Sequence, residues 1–337
     1  MHETKPTVYL IARPSVDVDG IRAYLTAVGG TSWLQRRLHD AAHEEAAVPD
    51  TDEDAALLHT HEDAAVLDPT LPAPDDQRPT PLGRAGHQAT DQAAAPPDAT
   101  QPRAPREGQT AHRAPQAGGQ SDAQLLIEFA GRVCYRSWEP GLNPNVTRVR
   151  TDQREYFENL LRSAHGSVLE HASYSFALHD VSRAFTHELV RHRAGSAFSQ
   201  ESLRYVRLTD IGFRLPPALQ GLRQRALSIV EQLEEFQVEA AGALGIEGPS
   251  VPFHVKKEVT SALRRLAPIG LSTDIVWTAN VRTLRHVIEM RTAEGAEEEL
   301  RLVFDEIAKI MVDEAPSLFQ DFARQHNGAW VPKHSKV

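Results

Sequence analysis

Apolar positions near the start of the chain are arranged first as in a strand and then as in a helix. Residues Thr7–Ala12 are β-branched, aromatic or apolar and end before Pro14, a pattern that predicts a strand. Residues 19–28 have apolar side chains at helical spacing, and Gly29 and Gly30 follow as a typical C-terminal signal. The N-terminal part is therefore predicted to form one strand and one helix.

Helical spacing of apolar residues dominates the C-terminal two thirds of the chain. The segments that show it are residues 122–133, 152–165, 182–193, 222–244, 250–266, 273–291 and 296–311. Ser182 stands where an N-cap is expected, and Pro268 follows the fifth segment. The sixth segment is predicted to be one long helix, on an apolar stripe made of Val276, Leu284, Val287 and Ile288.

Residues 168–178 alternate between apolar and polar instead. One face is formed by Ala172, Tyr174, Phe176 and Leu178, and the other by His171, Ser173, Ser175 and Ala177. A period of two predicts a strand with one buried face, and the polar face is free to meet a ligand. Strands of this kind among long helices indicate an α+β fold with a central, mainly antiparallel sheet.

The composition changes sharply in residues 41–121. This segment is rich in Ala, Asp, Pro, Gln, Thr and His, and no aromatic residue occurs between Trp33 and Phe129. Such a segment cannot bury enough apolar surface to offset its chain entropy, so we predict a disordered insertion. Residues 1–40 and 122–337 are then two parts of a single domain.

Charge and cysteine content narrow the class of protein. The formal net charge is −10, which argues against a general nucleic-acid binder. The single cysteine, Cys134, fits a reducing compartment and is expected to be a buried thiol. Since neither a signal peptide nor an apolar run of about 20 residues is present, we expect a soluble, cytoplasmic protein without a membrane partner.

The most informative chemistry lies in residues 191–204, which contain three arginines, one histidine and three serines. A guanidinium offers five donors in a rigid fork that suits phosphate or carboxylate oxygens. The alternative is a solvated helix end with cations favoured by the helix dipole. The three serine hydroxyl groups and the third arginine, Arg204, at the end of the segment favour an anion pocket.

A second group of polar residues lies in the segment predicted as the long helix. Asn280 and Arg291 are eleven residues apart and so fall on nearly the same side, while Arg282 and His286 form an i,i+4 pair. Motifs for zinc, for a Rossmann dinucleotide site and for a P-loop are missing from the sequence. Arginines without a nucleophile or a metal indicate a phosphorylated ligand and an organic cofactor.

These residues resemble the signature of the flavin-dependent thymidylate synthases (the ThyX family), in which Arg-His-Arg precedes a serine. Three more segments resemble the family in the same order, namely residues 130–135, 170–173 and 277–291. Eight residues separate Arg193 from Ser202, one more than is usual in the family. The serine of the signature therefore stays open among Ser196, Ser199 and Ser202, and the resemblance is anchored on residues 200–205.

The resemblance implies a ThyX-like α+β fold, a homotetramer with FAD at subunit contacts, and methylation of dUMP to dTMP. The carbon donor would be 5,10-methylenetetrahydrofolate, the reductant NADPH, and no metal is implied. The expected FAD contacts are Ser173, Arg191, His192, Arg193, Gln200, Asn280, Arg282 and His286. The expected dUMP contacts are Glu188, Leu189, Val190, Arg191, Gln200, Glu201, Ser202, Leu203, Arg204, Arg264 and Arg291.

The resemblance also implies that Arg291 is the catalytic residue near the uracil ring, where it would favour the ionised form of the ring. A fixed guanidinium suits this role because it stabilises negative charge that develops on the pyrimidine. Two positions depart from many relatives, with Gly295 in place of a histidine and Glu297 in place of a glutamine. Two other functions remain open. One is a flavoenzyme that modifies a different pyrimidine nucleotide, and the other is a regulatory nucleotide-binding module without catalysis.

Overall fold

The computed structural model of the chain describes residues 1–46, 121–335 and 337. The helices are α1 (Val18–Val28), α2 (Thr31–Ala46), α3 (Asp122–Tyr135), α4 (Gln153–Arg162), α5 (Arg183–Leu189), α6 (Arg223–Ala243), α7 (Phe253–Leu263), α8 (Val281–Thr292), α9 (Glu298–Glu314) and α10 (Pro316–Phe319). The strands are β1 (His2–Glu3), β2 (Thr7–Ala12), β3 (Ser173–Ser182), β4 (Ser196–Gln200), β5 (Gly212–Phe213), β6 (Ser272–Asn280), β7 (Phe322–Arg324) and β8 (Trp330–Pro332). None of these helices has both the length and the apolar character that a membrane crossing requires.

Most of the insertion predicted at residues 41–121 lies outside the described residues. At its two ends, α2 continues to Ala46, and Ser121 caps α3. The first residues of the predicted insertion are thus helical. The described residues on both sides belong to one compact unit.

The central sheet has the strand order β2-β3-β6-β4 and is antiparallel throughout. β6 lies in the interior of the sheet, where Tyr174 of β3 pairs with Ala279 and Phe198 of β4 pairs with Trp277. This arrangement, with helices around the sheet, confirms the predicted α+β class and the antiparallel sheet.

The predicted long helix over residues 273–291 is wrong in its first half. Residues Ser272–Asn280 form strand β6, and α8 begins only at Val281, with the Asn280 side chain accepting from Thr283 N at 2.9 Å. Burial in the strand alternates, so Val276 is 36% exposed and does not belong to the apolar stripe of α8. The β-branched residues of this segment and their period of two outweigh a partial match to helical spacing.

Two other segments differ in their bounds from the prediction. The strand expected from residue 168 starts at Ser173, after a 3-10 segment at Gly166–His171, and its face alternation is confirmed. Ser182 does cap α5, accepting from Phe185 N at 3.0 Å. Helix α5 nevertheless ends at Leu189, so residues 191–193 lie in the loop beyond it.

The buried face of the sheet packs on α8 and α9. Trp277 of β6 is fully buried, with its ring centroid 6.1 Å from that of Phe176 and 5.6 Å from that of Phe304 on α9. On the opposite face the hydroxyls of Ser175 and Thr278 are 2.8 Å apart, in hydrogen-bond contact. One face thus builds the core, and the other keeps polar side chains.

The expectation of a buried thiol is also wrong, because Cys134 is exposed. It lies in the last turn of α3, next to the exposed Val133, whereas the buried face of this helix includes Leu125 and Ile127. Ile127 lies seven residues before Cys134 and therefore on the same side of α3, but residues 133–135 are all exposed, so the last turn of the helix extends beyond the core.

A buried carboxylate joins the helices on either side of the predicted insertion. Glu128 of α3 accepts from Arg37 of α2 through two bonds of 2.8 Å, from Arg132 at 2.8 Å and from Trp33 at 2.9 Å. Burial alone would raise the pKa of Glu128, but the hydrogen bonds and charges of the two arginines outweigh it and lower the pKa. The ionised carboxylate is therefore the form that ties α2 to α3.

We expect Glu128→Ala to lower the free energy of unfolding by about 3–5 kcal/mol, because it leaves two buried guanidinium groups without their anion. Glu306→Ala is a matched control, since Glu306 is 57% exposed and forms a surface i,i+3 pair with Lys309. Urea denaturation followed by circular dichroism measures both changes, and the control should lose at most about 1 kcal/mol. Equal losses in the two variants would show that the buried cluster does not hold the helices together.

Candidate functional site

The loop between α5 and β4 is held against the first turn of α8. Gly195 O accepts from Asn280 N at 3.0 Å, and Ala194 O accepts from Thr283 Oγ1 at 2.7 Å. Gly195 has a φ of +67°, and a Cβ there would lie 2.4 Å from both Asn280 Nδ2 and Thr283 Oγ1. Only glycine allows this close approach, so the loop position depends on this residue.

A cavity of about 760 Å³ opens between this loop, α8 and the C-terminal segment. Its walls include most of the residues expected to contact FAD, namely Arg191, His192, Arg193, Asn280, Arg282 and His286. Four arginines line the cavity against two carboxylates, Glu170 and Glu289, and imidazole and amide groups stand beside them, an arrangement suited to an anionic ligand. In the parts of the chain that the structure covers, His, Cys, Asp and Glu side chains do not gather into a possible metal site.

Two residues expected to contact FAD are not among those lining this cavity. Ser173 is exposed on β3, where it pairs with Asn280 in the sheet. Gln200 ends β4 and donates to Thr186 Oγ1 at 3.0 Å, on the α5 side of the sheet. The sheet register therefore places Ser173 near the cavity and Gln200 near the expected nucleotide contacts.

The cavity is also lined by residues that were not predicted from the sequence. Glu170 accepts from Arg282 Nη1 at 2.6 Å, and Val337 O accepts from Arg282 Nε at 3.0 Å. Glu170 stands inside the motif at residues 170–173, so its position was a usable signal. The C-terminal segment from Pro332 to Val337 carries no pattern that predicts a place beside α8.

This C-terminal segment is held in place by a buried ion pair. Arg285 of α8 binds Asp321 through bonds of 2.8 and 3.0 Å. The same two side chains hold the main chain of His334, whose N donates to Asp321 and whose O accepts from Arg285 at 3.3 Å. The outer wall of the cavity is thus positioned by α8 as well.

Arg291 lies behind the cavity and contacts a residue that lines it. Its Nε donates to His192 Nε2 at 2.8 Å and its Nη1 donates to Glu188 Oε2 at 2.7 Å, while its side chain is only 16% exposed. Burial, followed by the charge of Arg291, lowers the pKa of His192 to about 4. His192 is therefore unprotonated at neutral pH and can accept the hydrogen bond.

The residues expected to contact dUMP fall mainly on a different part of the surface. Glu201 N donates to Asp274 O of β6 at 2.9 Å, which fixes the chain beyond β4. Leu203 and Arg264 line one small cleft together, while Arg204 is exposed nearby in sequence. Leu203 and Arg264 are thus not among the residues that line the large cavity, whereas Arg191 lines it and Arg291 contacts both Glu188 and the cavity residue His192.

Leu189 and Leu203 belong to hydrophobic clusters, in which they are 0% and 7% exposed. Their side chains are therefore occupied in packing, and contact with a nucleotide would have to come from the main chain. Val190, in contrast, is 37% exposed just beyond α5. The three residues were expected as one group, but only Val190 presents its side chain to the surface.

The three candidate serines of the signature have different surroundings. Ser196 Oγ accepts from Trp277 Nε1 at 3.1 Å, which gives it a structural role. Ser199 is exposed on β4, and Ser202 Oγ accepts from Arg204 N at 3.3 Å in the turn after the strand. Ser202 alone thus lies within the anchored segment 200–205 and contacts another of its members.

One of the two unusual residues also has a structural role. Glu297 caps α9, accepting from Glu299 N at 2.9 Å and from Leu300 N at 3.2 Å. A carboxylate at a helix N-terminus is favoured by the helix dipole. Gly295 lies in the turn before it, with open space around the position of a Cβ.

We expect Gly195→Ala to lower the melting temperature by about 4 °C or more. A left-handed conformation costs an alanine about 1–2 kcal/mol before any clash, and about 1 kcal/mol corresponds to about 2–4 °C in a domain of this size. Differential scanning fluorimetry measures the change. Gly295→Ala is the control and should melt as the unmodified protein does, because its Cβ meets nothing within 4 Å. An unchanged melting temperature for Gly195→Ala would contradict the tight loop.

Comparison with known proteins identifies the family. A family model described as "Thymidylate synthase complementing protein" matches residues 119–317. The flavin-dependent thymidylate synthase of Mycobacterium avium is 37% identical over 202 residues, which cover 58% of this chain and 78% of that protein. The enzyme of Mycobacteroides abscessus is 38% identical over 210 residues, which cover 58% of this chain and 78% of that protein. The enzyme of Corynebacterium diphtheriae is 33% identical over 207 residues, which cover 60% of this chain and 80% of that protein. Since the family model spans more than half of the chain, the chain belongs to the family of the flavin-dependent thymidylate synthases.

Proposed function

We propose that the chain is a flavin-dependent thymidylate synthase, a methyltransferase that converts dUMP to dTMP. Family membership supports this function. The observation that carries it is the placement of Arg291, which is held beside His192 behind a cavity lined by the basic residues expected to bind the cofactor. The substrates proposed with dUMP are 5,10-methylenetetrahydrofolate as carbon donor and NADPH as reductant.

The residues around the large cavity fit FAD. A volume of about 760 Å³ lies within the range of ordinary ligand pockets. Arg191, Arg193 and Arg282 are exposed at its walls and can bind a pyrophosphate, for which guanidinium groups are well suited. When bound, the flavin supplies the hydride chemistry that protein side chains lack.

The remaining residues bind and orient the nucleotide. Arg264 and Arg204 are exposed cations on the side of Gln200 and can hold the phosphate of dUMP. Arg291 contacts Glu188 and the cavity residue His192, and its charge stabilises the ionised form of a pyrimidine ring. No protein nucleophile is required, and the exposed Cys134 on α3 is given no role.

Self-association is proposed as a homotetramer, and helix α6 offers a surface for it. Leu222, just before α6, and Ile229 and Phe236 within it are 61%, 52% and 43% exposed and recur every seven residues. Each is followed four residues later by Ala226, Leu233 or Ala240. A stripe with this spacing is typical of helices that pair with one another. Arg223 and Arg225 lie in the first turn of α6, and its four glutamates lie from the middle of the helix to residue 239, so two antiparallel copies would bring opposite charges together.

We propose that the protein acts in the cytoplasm, without a nucleic-acid or membrane partner. A single cysteine among 337 residues supports a reducing compartment. The formal net charge of −10 disfavours contact with nucleic acid and with anionic membrane surfaces.

The purified protein should show the absorption of oxidised flavin near about 450 nm and should release tritium from 5-tritiated dUMP when supplied with methylenetetrahydrofolate and NADPH. Arg291→Ala should keep its flavin but lose turnover by about 100-fold or more, because a preorganised charge is removed. Bound flavin without tritium release in the unmodified protein would favour a flavoenzyme for another pyrimidine nucleotide. A colourless protein that binds dUMP would favour a regulatory module instead.

The double variant Ile229→Glu/Phe236→Glu should form a smaller assembly than the unmodified protein, because it places charges in the apolar stripe of α6. Light scattering after size-exclusion chromatography measures the mass of each. Leu302→Glu on α9 is the control, since Leu302 is an exposed apolar residue as well, at 49%, but lies outside the stripe. A monomeric unmodified protein, or an assembly unaffected by the double variant, would contradict this interface.

A further inference from the structure

Arg291 is held by two residues that are distant from it in sequence. Glu188 of α5 binds Nη1 at 2.7 Å, and His192, in the loop after α5, binds Nε at 2.8 Å. Among the described residues, Nη2 of Arg291 has no hydrogen-bond acceptor. Two of the three guanidinium nitrogens are thus bound to protein, and the third is left for a ligand.

Two contacts at different nitrogens define the plane of a guanidinium group. An arginine side chain has many rotamers, and it loses most of that freedom only when its planar fork is bound at more than one point. Because Arg291 is largely buried, its contacts with Glu188 and His192 are also poorly replaced by water. The pair therefore decides where Nη2 points.

The contact with His192 requires an unprotonated imidazole, since an N–H cannot accept from Arg291. The groups that face His192 are Arg291 and His286 on α8 and Glu188 on α5. The ring of His286 is 6.4 Å from that of His192. Burial, Arg291 and His286 together outweigh Glu188 and keep the pKa of His192 low.

We propose that Glu188 and His192 are positioning residues that hold Arg291 from both sides and direct its free nitrogen, Nη2, at the pyrimidine. This inference rests on the proposed function for the identity of the ligand. In this role Glu188 does not contact dUMP directly, because its carboxylate binds Arg291. His192 likewise has a second role besides lining the flavin cavity.

The test is a double-mutant cycle with Glu188→Ala and Arg291→Ala. Glu188→Ala should lower kcat by about tenfold or more with little change in KM for dUMP, because neighbouring groups that act together are strongly coupled. In the Arg291→Ala background, the same substitution should cost nothing further. Glu188→Gln keeps an acceptor for Nη1 and should recover most of the loss.

Glu294→Ala is the matched control, since Glu294 is exposed in the turn three residues after Arg291. It should leave kcat unchanged. If Glu188→Ala instead raises KM for dUMP by the same factor with and without Arg291, Glu188 contacts the substrate itself and the proposal is wrong. Additive losses in kcat would overturn it equally.

A second measurement does not depend on turnover. Nitrogen-15 NMR of the histidines should show His192 with an unprotonated Nε2 at pH 7, and its pKa should rise in Arg291→Ala because a neighbouring positive charge is lost. A protonated Nε2 at pH 7, or a pKa unaffected by Arg291→Ala, would overturn the contact. Absence of tritium release from the unmodified protein, with the NMR result as expected, would instead refute the proposed function and leave the arrangement of the three residues standing.

Discussion

The pairing of β6 with both β3 and β4 is the constraint on which the site depends. β6 runs through the interior of the sheet, and its last residue, Asn280, is also the N-cap of α8. The register therefore sets the start of the helix that carries Arg282, His286 and Arg291. The same residue binds the loop after α5 through Gly195 O, so both sides of the large cavity are built from one strand end.

The electrostatics of the site follow from this geometry. Helix α8 turns Arg282 and His286 towards the cavity and Arg291 towards α5, where Glu188 and His192 meet it. A guanidinium with only 16% of its side chain exposed needs such partners, because an unpaired buried charge is costly. The lowered pKa of His192 is then a consequence of the same burial and charge, and it makes the imidazole an acceptor.

Local signals predicted a good part of this structure. Ser182 was correctly expected to cap α5, and the alternation of β3 separated its buried residues from its polar ones. The same kind of signal gave a wrong prediction for residues 273–291. Val276 and Leu284 match helical spacing, although Val276 lies in strand β6 and Leu284 in helix α8. Short apolar runs satisfy both periods, and only the neighbouring strands decide between them. The exposure of Cys134 was missed for a similar reason, since a single position at a helix end carries no periodicity.

The amino-acid sequence was enough to predict the class of fold, the residue types of the site and, through the motifs around residues 191–204 and 277–291, the family. These properties depend on local residue spacing and composition, which can be read directly from the sequence. Two features could be seen only in the folded chain. Glu188 and His192 both bind Arg291, about 100 positions later, and the C-terminal segment lies beside Arg282 at the cavity. Hydrogen bonds between such distant residues arise from the packing of α5 and α8 about one sheet, and no local pattern encodes that packing.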